Sequence, residues 1–278
     1  MNVATPRQAS ALVLVNERLT PEVHRLLLRL DGEWGPAHPG QFVELECPPP
    51  ELFGLRRPFS LAGCRRRAGD TELEIVYGAV GERTRALSRC RAGEALSVVG
   101  PLGRPFAPVP GRRPVLIGGG RGVAPMLMLA DSWKEEFPDG LLLYGARTAP
   151  LLIPLGEVPY PLHLATDDGS QGTRGSVVDL LQYLQAREAI RPVAHALYAC
   201  GPNRMLAALS RWAAEAGYPC QVSLETHFGC GVGICAGCAV PVKADASDPQ
   251  GAFGRYIFAC QEGPVVDGTR IEWEGLAE

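Results

Sequence analysis

The chain has no excess of positive charge. Its 278 residues hold 27 Lys and Arg against 30 Asp and Glu, a net charge of −3. That excludes the clustered basic footprint of a nucleic-acid-binding protein. The one basic run, Arg65-Arg66-Arg67, is short and reads as a solvated turn. Long apolar runs are also missing. Nothing approaches the roughly 18 apolar residues of a membrane span, and residues 1–7 lack the apolar stretch of a signal peptide. The expectation is a soluble, cytoplasmic protein with no membrane and no nucleic-acid partner. Histidine is scarce, with five in all. A Rieske centre needs two histidine ligands, and of the five only His227 lies close to the late cysteines. No convincing acid–base pair stands out, so no catalytic residue is assigned.

Cysteine and glycine are plentiful, and they coincide in one stretch. Gly229-Cys230-Gly231-Val232-Gly233-Ile234-Cys235-Ala236-Gly237-Cys238 sets three thiols at C-x4-C-x2-C, and Cys260 follows. This spacing is the plant-type arrangement for a [2Fe–2S] cluster, which takes four thiolates. Gly229, Gly231, Gly233 and Gly237 let the backbone wrap closely, with positive φ where needed, and aim N–H groups at sulfur. Structural zinc is the alternative, although zinc sites usually show two short Cys pairs and here there is one. Inert buried thiols would not need the glycines. The other five cysteines, Cys47, Cys64, Cys90, Cys200 and Cys220, are scattered, as reduced thiols would be.

Residues 8–108 read as short strands between Gly and Pro clusters, with strands expected at 11–15, 24–30, 41–45, 60–62, 73–77 and 95–99 and one helix over 84–90. That pattern points to a small antiparallel barrel of flavin-binding size. Two stretches look chemical. In Arg56-Arg57-Pro58-Phe59-Ser60, the planar fork of Arg57 suits a pyrophosphate and Ser60 can donate to a flavin ring nitrogen. An ordinary edge strand is the plain alternative. Gly78-Ala79-Val80-Gly81-Glu82-Arg83-Thr84 leads into the helix with Thr84 as its expected N-cap, which offers N–H groups to phosphate or is simply a cap.

From residue 114 the pattern becomes parallel α/β. A buried strand over 114–117 runs into Gly118-Gly119-Gly120-Arg121-Gly122 and a helix over 125–137, a geometry that brings pyrophosphate against backbone amides. It is not the G-x-G-x-x-G fingerprint, and a tight turn would also use these glycines. Strands at 140–147, 162–166 and 196–200 and helices at 176–186 and 204–216 follow. The loops at the strand ends carry Asp167-Asp168-Gly169 and Cys200-Gly201-Pro202. A carboxylate at Asp168 could accept from a ribose 2′-OH, favouring NAD over NADP, or serve the turn alone. Cys200 could sit near a nicotinamide, or be a small buried residue at a strand end. The expected domains are 1–108, a FAD-binding barrel; 109–221, an NAD-binding α/β domain; and 222–278, a cluster domain. In the last, strands at 256–258 and 271–273 would flank Cys260, and 244–251 would be an exposed mobile loop.

The order of these motifs resembles the electron-transfer subunit of class 1B dihydroorotate dehydrogenase, of the ferredoxin–NADP⁺ reductase superfamily, over essentially the whole chain. The resemblance implies bound FAD, a [2Fe–2S] cluster and an NAD site. It implies an FMN-containing partner subunit that oxidises dihydroorotate in pyrimidine biosynthesis, in a heterotetramer. It implies that Arg57, Pro58, Phe59, Ser60, Val76, Tyr77, Gly78, Arg83 and Thr84 contact FAD, and that Cys230, Cys235, Cys238 and Cys260 ligate the cluster. Gly119, Gly120, Gly122, Asp168, Cys200, Gly201 and Pro202 are the nucleotide-side candidates. Arg83, Arg121, His227-Phe228 and the long gap from Cys238 to Cys260 depart from the family pattern. Two rival readings share the inventory: the small subunit of another NAD(P)H-dependent reductase (a ferredoxin:NADP⁺ oxidoreductase or a hydrogenase-type diaphorase), and a zinc-stabilised binding module.

Overall fold

The computed structural model describes residues 5–32, 34–48, 56–243 and 255–276. Six strands come first: β1 (Arg7–Arg18), β2 (Val23–Leu30), β3 (Phe42–Leu45), β4 (Arg57–Arg67), β5 (Asp70–Gly78) and β6 (Ala95–Leu102). They close into an antiparallel barrel in the order β1-β2-β5-β4-β3-β6, which leaves no free edge. Period-2 alternation drives the closure. In β5, Thr71, Leu73, Ile75 and Tyr77 are buried while the residues between them are half-buried. Their partners inside include Val13, Leu26, Leu28, Leu61 and Val98.

Helix α1 (Glu82–Leu87) starts two residues before its expected position. Its N-cap is Gly81, and Thr84 is the third helical residue, not the cap. The Thr84 hydroxyl reaches back to accept from the Gly81 N–H at 3.0 Å. The cap moves because Gly81 already has the extended backbone a cap requires, and the Thr84 hydroxyl supplies the one half of a capping box that a glycine cap allows.

The second layer is a sheet built on β7 (Arg113–Gly119), β8 (Leu141–Ala146), β9 (Leu162–Thr166), β10 (Thr173–Arg174), β11 (His195–Cys200) and β12 (Cys220–Ser223), all parallel. Helices α2 (Val123–Trp133), α3 (Val177–Ala186) and α4 (Asn203–Ala216) make the crossovers. Ser176 caps α3, accepting from the Asp179 N–H while Asp179 accepts from the Ser176 N–H. The chain turns outward in opposite directions after β7 and β11, which lie side by side. A crevice opens beyond the carboxyl ends of strands at such a switch point.

The tail does more than dock. Its hairpin of β13 (Ala239–Pro241) and β14 (Tyr256–Phe258) carries the approach to Cys260. Then β15 (Val265–Asp267) pairs antiparallel with β12, Val266 opposite Val222, as the seventh strand of the central sheet. The boundary expected at 221/222 therefore falls inside β12. The strand expected at 271–273 does not form. Ile271 makes one isolated bridge to Val242, and Trp273–Gly275 is a 3-10 turn whose indole bonds the Gly268 carbonyl at 3.0 Å. The loop expected over 244–251 lies outside the described residues. No helix among the described residues is long and apolar enough to cross a membrane.

Candidate functional site

Barrel, sheet and tail meet around a cleft of about 290 Å³. The barrel contributes Pro58, Phe59, Ser60, Val76, Tyr77, Gly78 and Thr84. Strand parity divides these residues. Phe59 and Tyr77 point into the barrel core, rings 5.8 Å apart edge to face, and Tyr77 donates its hydroxyl to Asn16 Oδ1 at 2.9 Å. Pro58, Ser60 and Val76, on the alternate positions, are half-buried. Phe59 and Tyr77 therefore belong both to the barrel core and to the cleft wall, while neighbours on the strand face the other way. Arg57 donates to the Arg56 carbonyl at 3.2 Å and Arg83 to the Cys47 carbonyl at 3.1 Å.

The sheet closes the other side with Gly122, Ala124, Pro125 and Cys200. Here the glycines are steric necessities. A Cβ on Gly122 would strike the Cys200 carbonyl, and one on Gly119 would meet the Met205 thioether and, at 3.1 Å, Pro202. The turns after β7 and β11 can approach this closely only without side chains. Gly119, Gly122, Cys200, Gly201 and Pro202 therefore come together at the switch point, while Gly120 takes a positive φ of 53° beside them. Burial pushes the Cys200 thiol well up, so it rests as a neutral side chain. Asp168 stands apart from the residues lining the cleft. Its carboxylate is exposed and accepts from the Ser170 hydroxyl at 2.6 Å and the Ser170 N–H at 3.0 Å, the turn role weighed for it above. Those bonds hold it below the usual carboxylate range.

Residues 229–238 form the cluster loop. Gly231 and Gly233 take positive φ of 70° and 81°, and so does Ala236 at 56°, whereas Gly229 and Gly237 do not. The Ile234 and Cys235 amides approach Cys230 Sγ at 3.3 and 3.4 Å, and the Gly237 amide approaches Cys235 Sγ at 3.4 Å. Burial works against the Cys230 thiolate, but the amides of Cys235, Val232 and Ile234 outweigh it and bring that thiol down to about 6. Cys238 and Cys260 are buried, with Sγ atoms 3.2 Å apart. Cys238 and Cys260 thus pair through sulfur, while Cys230 and Cys235 are joined through the Cys235 amide. Among the described residues no three His, Cys, Asp or Glu side chains gather around one metal ion. Two pairs suit two irons, each with two thiolates, better than one tetrahedral zinc.

Several cleft residues carry no motif and escaped sequence reasoning. Phe42 of β3 packs on Phe228, centroids 4.8 Å apart, and Leu224, Glu225, Thr226 and Pro264 line the cleft from the tail. The only signal for the 224–228 segment is its place between a strand and the cysteine loop. Arg121, one of the departures noted above, also lines the cleft; a Cβ on Gly78 would lie 3.2 Å from its Nη1. Glu44 of β3 is buried, and Gly231 sits against it. Burial first, and the Cys230 charge second, push its carboxyl up to about 8, with Arg56 and Arg57 opposing.

A closed antiparallel barrel joined to a parallel α/β sheet at a glycine-lined switch point defines a ferredoxin–NADP reductase-like protein, here with an iron–sulfur-type tail. The solved structure of an NADH-dependent reduced ferredoxin-NADP oxidoreductase is similar at 28% identity and a TM-score of 0.79, covering 96% of this chain and 91% of its own. The family described as the iron-sulfur cluster binding domain of dihydroorotate dehydrogenase B matches residues 225–272. A dihydroorotate dehydrogenase B (NAD(+)) electron transfer subunit from Caldanaerobacter subterraneus subsp. tengcongensis is 32% identical over 92% of this chain and 94% of its own. One from Bacillus caldolyticus is 35% identical over 84% and 86%. The chain belongs to the family of dihydroorotate dehydrogenase B electron transfer subunits.

Proposed function

We propose that this chain passes electrons between an FMN-containing dihydroorotate dehydrogenase catalytic subunit and NAD⁺, through FAD and a [2Fe–2S] cluster, in pyrimidine biosynthesis. One observation carries the reading: a single cleft takes residues from the barrel, from the glycine-lined switch point and from the segment leading to the cluster loop. When bound there, FAD exchanges electrons in pairs with the nicotinamide and singly with the cluster. The protein's part is holding and excluding. Pro58, Ser60, Val76 and the Gly78 backbone present the barrel wall to a flavin, with Arg57, Arg83 and Thr84 at the phosphate end. Gly119, Gly120, Gly122, Gly201 and Pro202 give backbone approach to the dinucleotide, Cys200 lies at its inner end, and Asp168 is the ribose candidate. Cys230, Cys235, Cys238 and Cys260 hold the irons.

The cysteine loop presents the exposed side chains of Val232 and Ile234 around exposed Cys235. That apolar rim beside an electron-transfer ligand is the surface we assign to the catalytic subunit, in a heterotetramer. Cysteines scattered without a pairing pattern in the sequence fit a cytoplasmic setting. The reductase of similar fold supports a rival reading, but the match of residues 225–272 and the 32–35% relatives favour the dehydrogenase partner. Anaerobic rapid mixing of the isolated subunit with NADH tests the proposal: the flavin absorbance bleaches. A flavin that stays oxidised, or a colourless protein holding zinc, overturns it.

A further inference from the structure

Among the described residues Glu44 is the one Asp or Glu that is buried, with 1% of its surface exposed. Both its carboxyl oxygens lack a hydrogen-bond partner. Gln41, at the other end of the same segment, shows the usual arrangement: it donates to the Gly103 carbonyl at 2.8 Å and accepts from the His38 N–H at 2.9 Å. Arg56, which could neutralise Glu44, is turned to Ser97 and Glu46 instead. A buried carboxyl without a partner is destabilising, a cost an apolar side chain would avoid. Barrel stability therefore does not account for it.

Its position does. Glu44 stands opposite Pro58 in the pairing of β3 with β4, the strand assigned to the flavin. Its side chain leaves that strand toward the cysteine loop. A Cβ built on Gly231 would lie 2.8 Å from Glu44 Cγ and 3.0 Å from Oε1. A side chain at 231 would displace the carboxyl, and Gly231 is the residue after Cys230. With no donor on either oxygen, burial favours the neutral carboxyl even against the nearby charges of Arg56 and Arg57. It then has an O–H to donate. The Ile234 and Cys235 amides serve Cys230 Sγ from within the loop; Glu44 comes to the same loop from the barrel.

We propose that Glu44 is a positioning residue that sets the cluster's reduction potential, its carboxyl donating a hydrogen bond from the barrel to the sulfur shell at Cys230. Donors to cluster sulfur stabilise the reduced, more negative state and raise the potential. The inference rests on the cluster reading above.

The test is an EPR-monitored redox titration of the whole cofactor-loaded protein at one pH, for wild type, Glu44→Gln and Glu44→Leu. Glu44→Gln keeps a donor and holds the cluster midpoint at the wild-type value. Glu44→Leu shifts it negative, while the flavin midpoint stays in place in both. An unshifted Glu44→Leu overturns the inference. So does a positive shift in both variants, which would mean an ionised carboxylate. If Glu44→Leu does not load, infrared difference spectra of cluster reduction decide instead. Wild type shows a protonated-carboxyl stretch that moves on reduction and is absent from Glu44→Gln; a spectrum without that band overturns the inference. Wild-type protein with no iron would instead sink the cluster reading itself.

Discussion

The Sγ atoms of Cys238 and Cys260 stand 3.2 Å apart across a separation of 22 residues. The pairing of β13 with β14 makes this possible: with Ala239 opposite Phe258, the Ala259 N–H donates to the Cys238 carbonyl, and Cys260 is the next residue. On the proposed ligation, replacing Cys260 by Ser removes a ligand that this strand pairing delivers. Iron content and cluster absorbance fall to near zero in Cys260→Ser while the flavin is kept. Cys90→Ser, in the barrel core, retains full iron. Iron and flavin assays on the two purified variants check this.

Gly122 lies against the carbonyl of Cys200, so the turns after β7 and β11 touch backbone to backbone. Gly122→Ala forces them apart. Overpacking of this kind costs about 1–3 kcal/mol, and here the displaced atoms are those that would face a dinucleotide. We expect a lower Tm and a KM for NADH raised at least tenfold. A variant with wild-type values for both would remove Gly122 from the site.

Ile234 is 83% exposed at the tip of the cysteine loop. If the catalytic subunit covers it, Ile234→Glu buries an unpaired charge at the interface, a change of the size seen at interface hot spots, about 2 kcal/mol or more. The complex then weakens by roughly thirtyfold or more, with iron and flavin unchanged. Size-exclusion chromatography with the partner reads this directly.

His195 begins β11, buried, with Nδ1 accepting from the Arg191 N–H at 3.0 Å. Burial, together with the charges of Arg113 and Arg191, holds its pKa below 6.5 against the bond that a protonated Nδ1 would donate to the Arg191 carbonyl, 3.2 Å away. The unfolded chain therefore binds this proton more readily than the folded one. The stability contributed is complete above pH 6.5 and is lost as pH falls through the lower folded value. Thermal melts should show Tm dropping on acidification below pH 6.5. In His195→Asn, which offers an amide oxygen in place of Nδ1, that part of the drop should flatten.

Much of the architecture was legible because it rests on local rules. β5 alternates, so its inward and outward faces follow from residue type, and Ser176 with Asp179 announces the start of α3. The turn after β7 has its glycines where a strand meets a helix. Legibility failed where a choice depended on distant chain. Thr84 looked like a cap until Gly81 supplied the extended backbone first. Phe59 lines the cleft as a flavin contact would, but the sequence did not show that its ring also meets Tyr77 edge to face in the barrel core. The segment 271–273 looked like a strand, but β15 had already taken the edge of β12, leaving Ile271 a single bridge to Val242.

The linear order of residues was enough to determine the chemistry of the cysteine loop. Its three cysteines and its positive-φ glycines lie within ten positions, so a short backbone path alone aims amides at sulfur. It also determined the succession of barrel, α/β sheet and tail, since hydrophobic periodicity is local. Only the tertiary structure decided what those parts share. Return of the chain through β15 sets Pro264 and the 224–228 segment against the barrel, and β3 buries Glu44 beneath Gly231. Contacts between residues so far apart in sequence depend on how whole faces pack, and no single stretch of the chain specifies that.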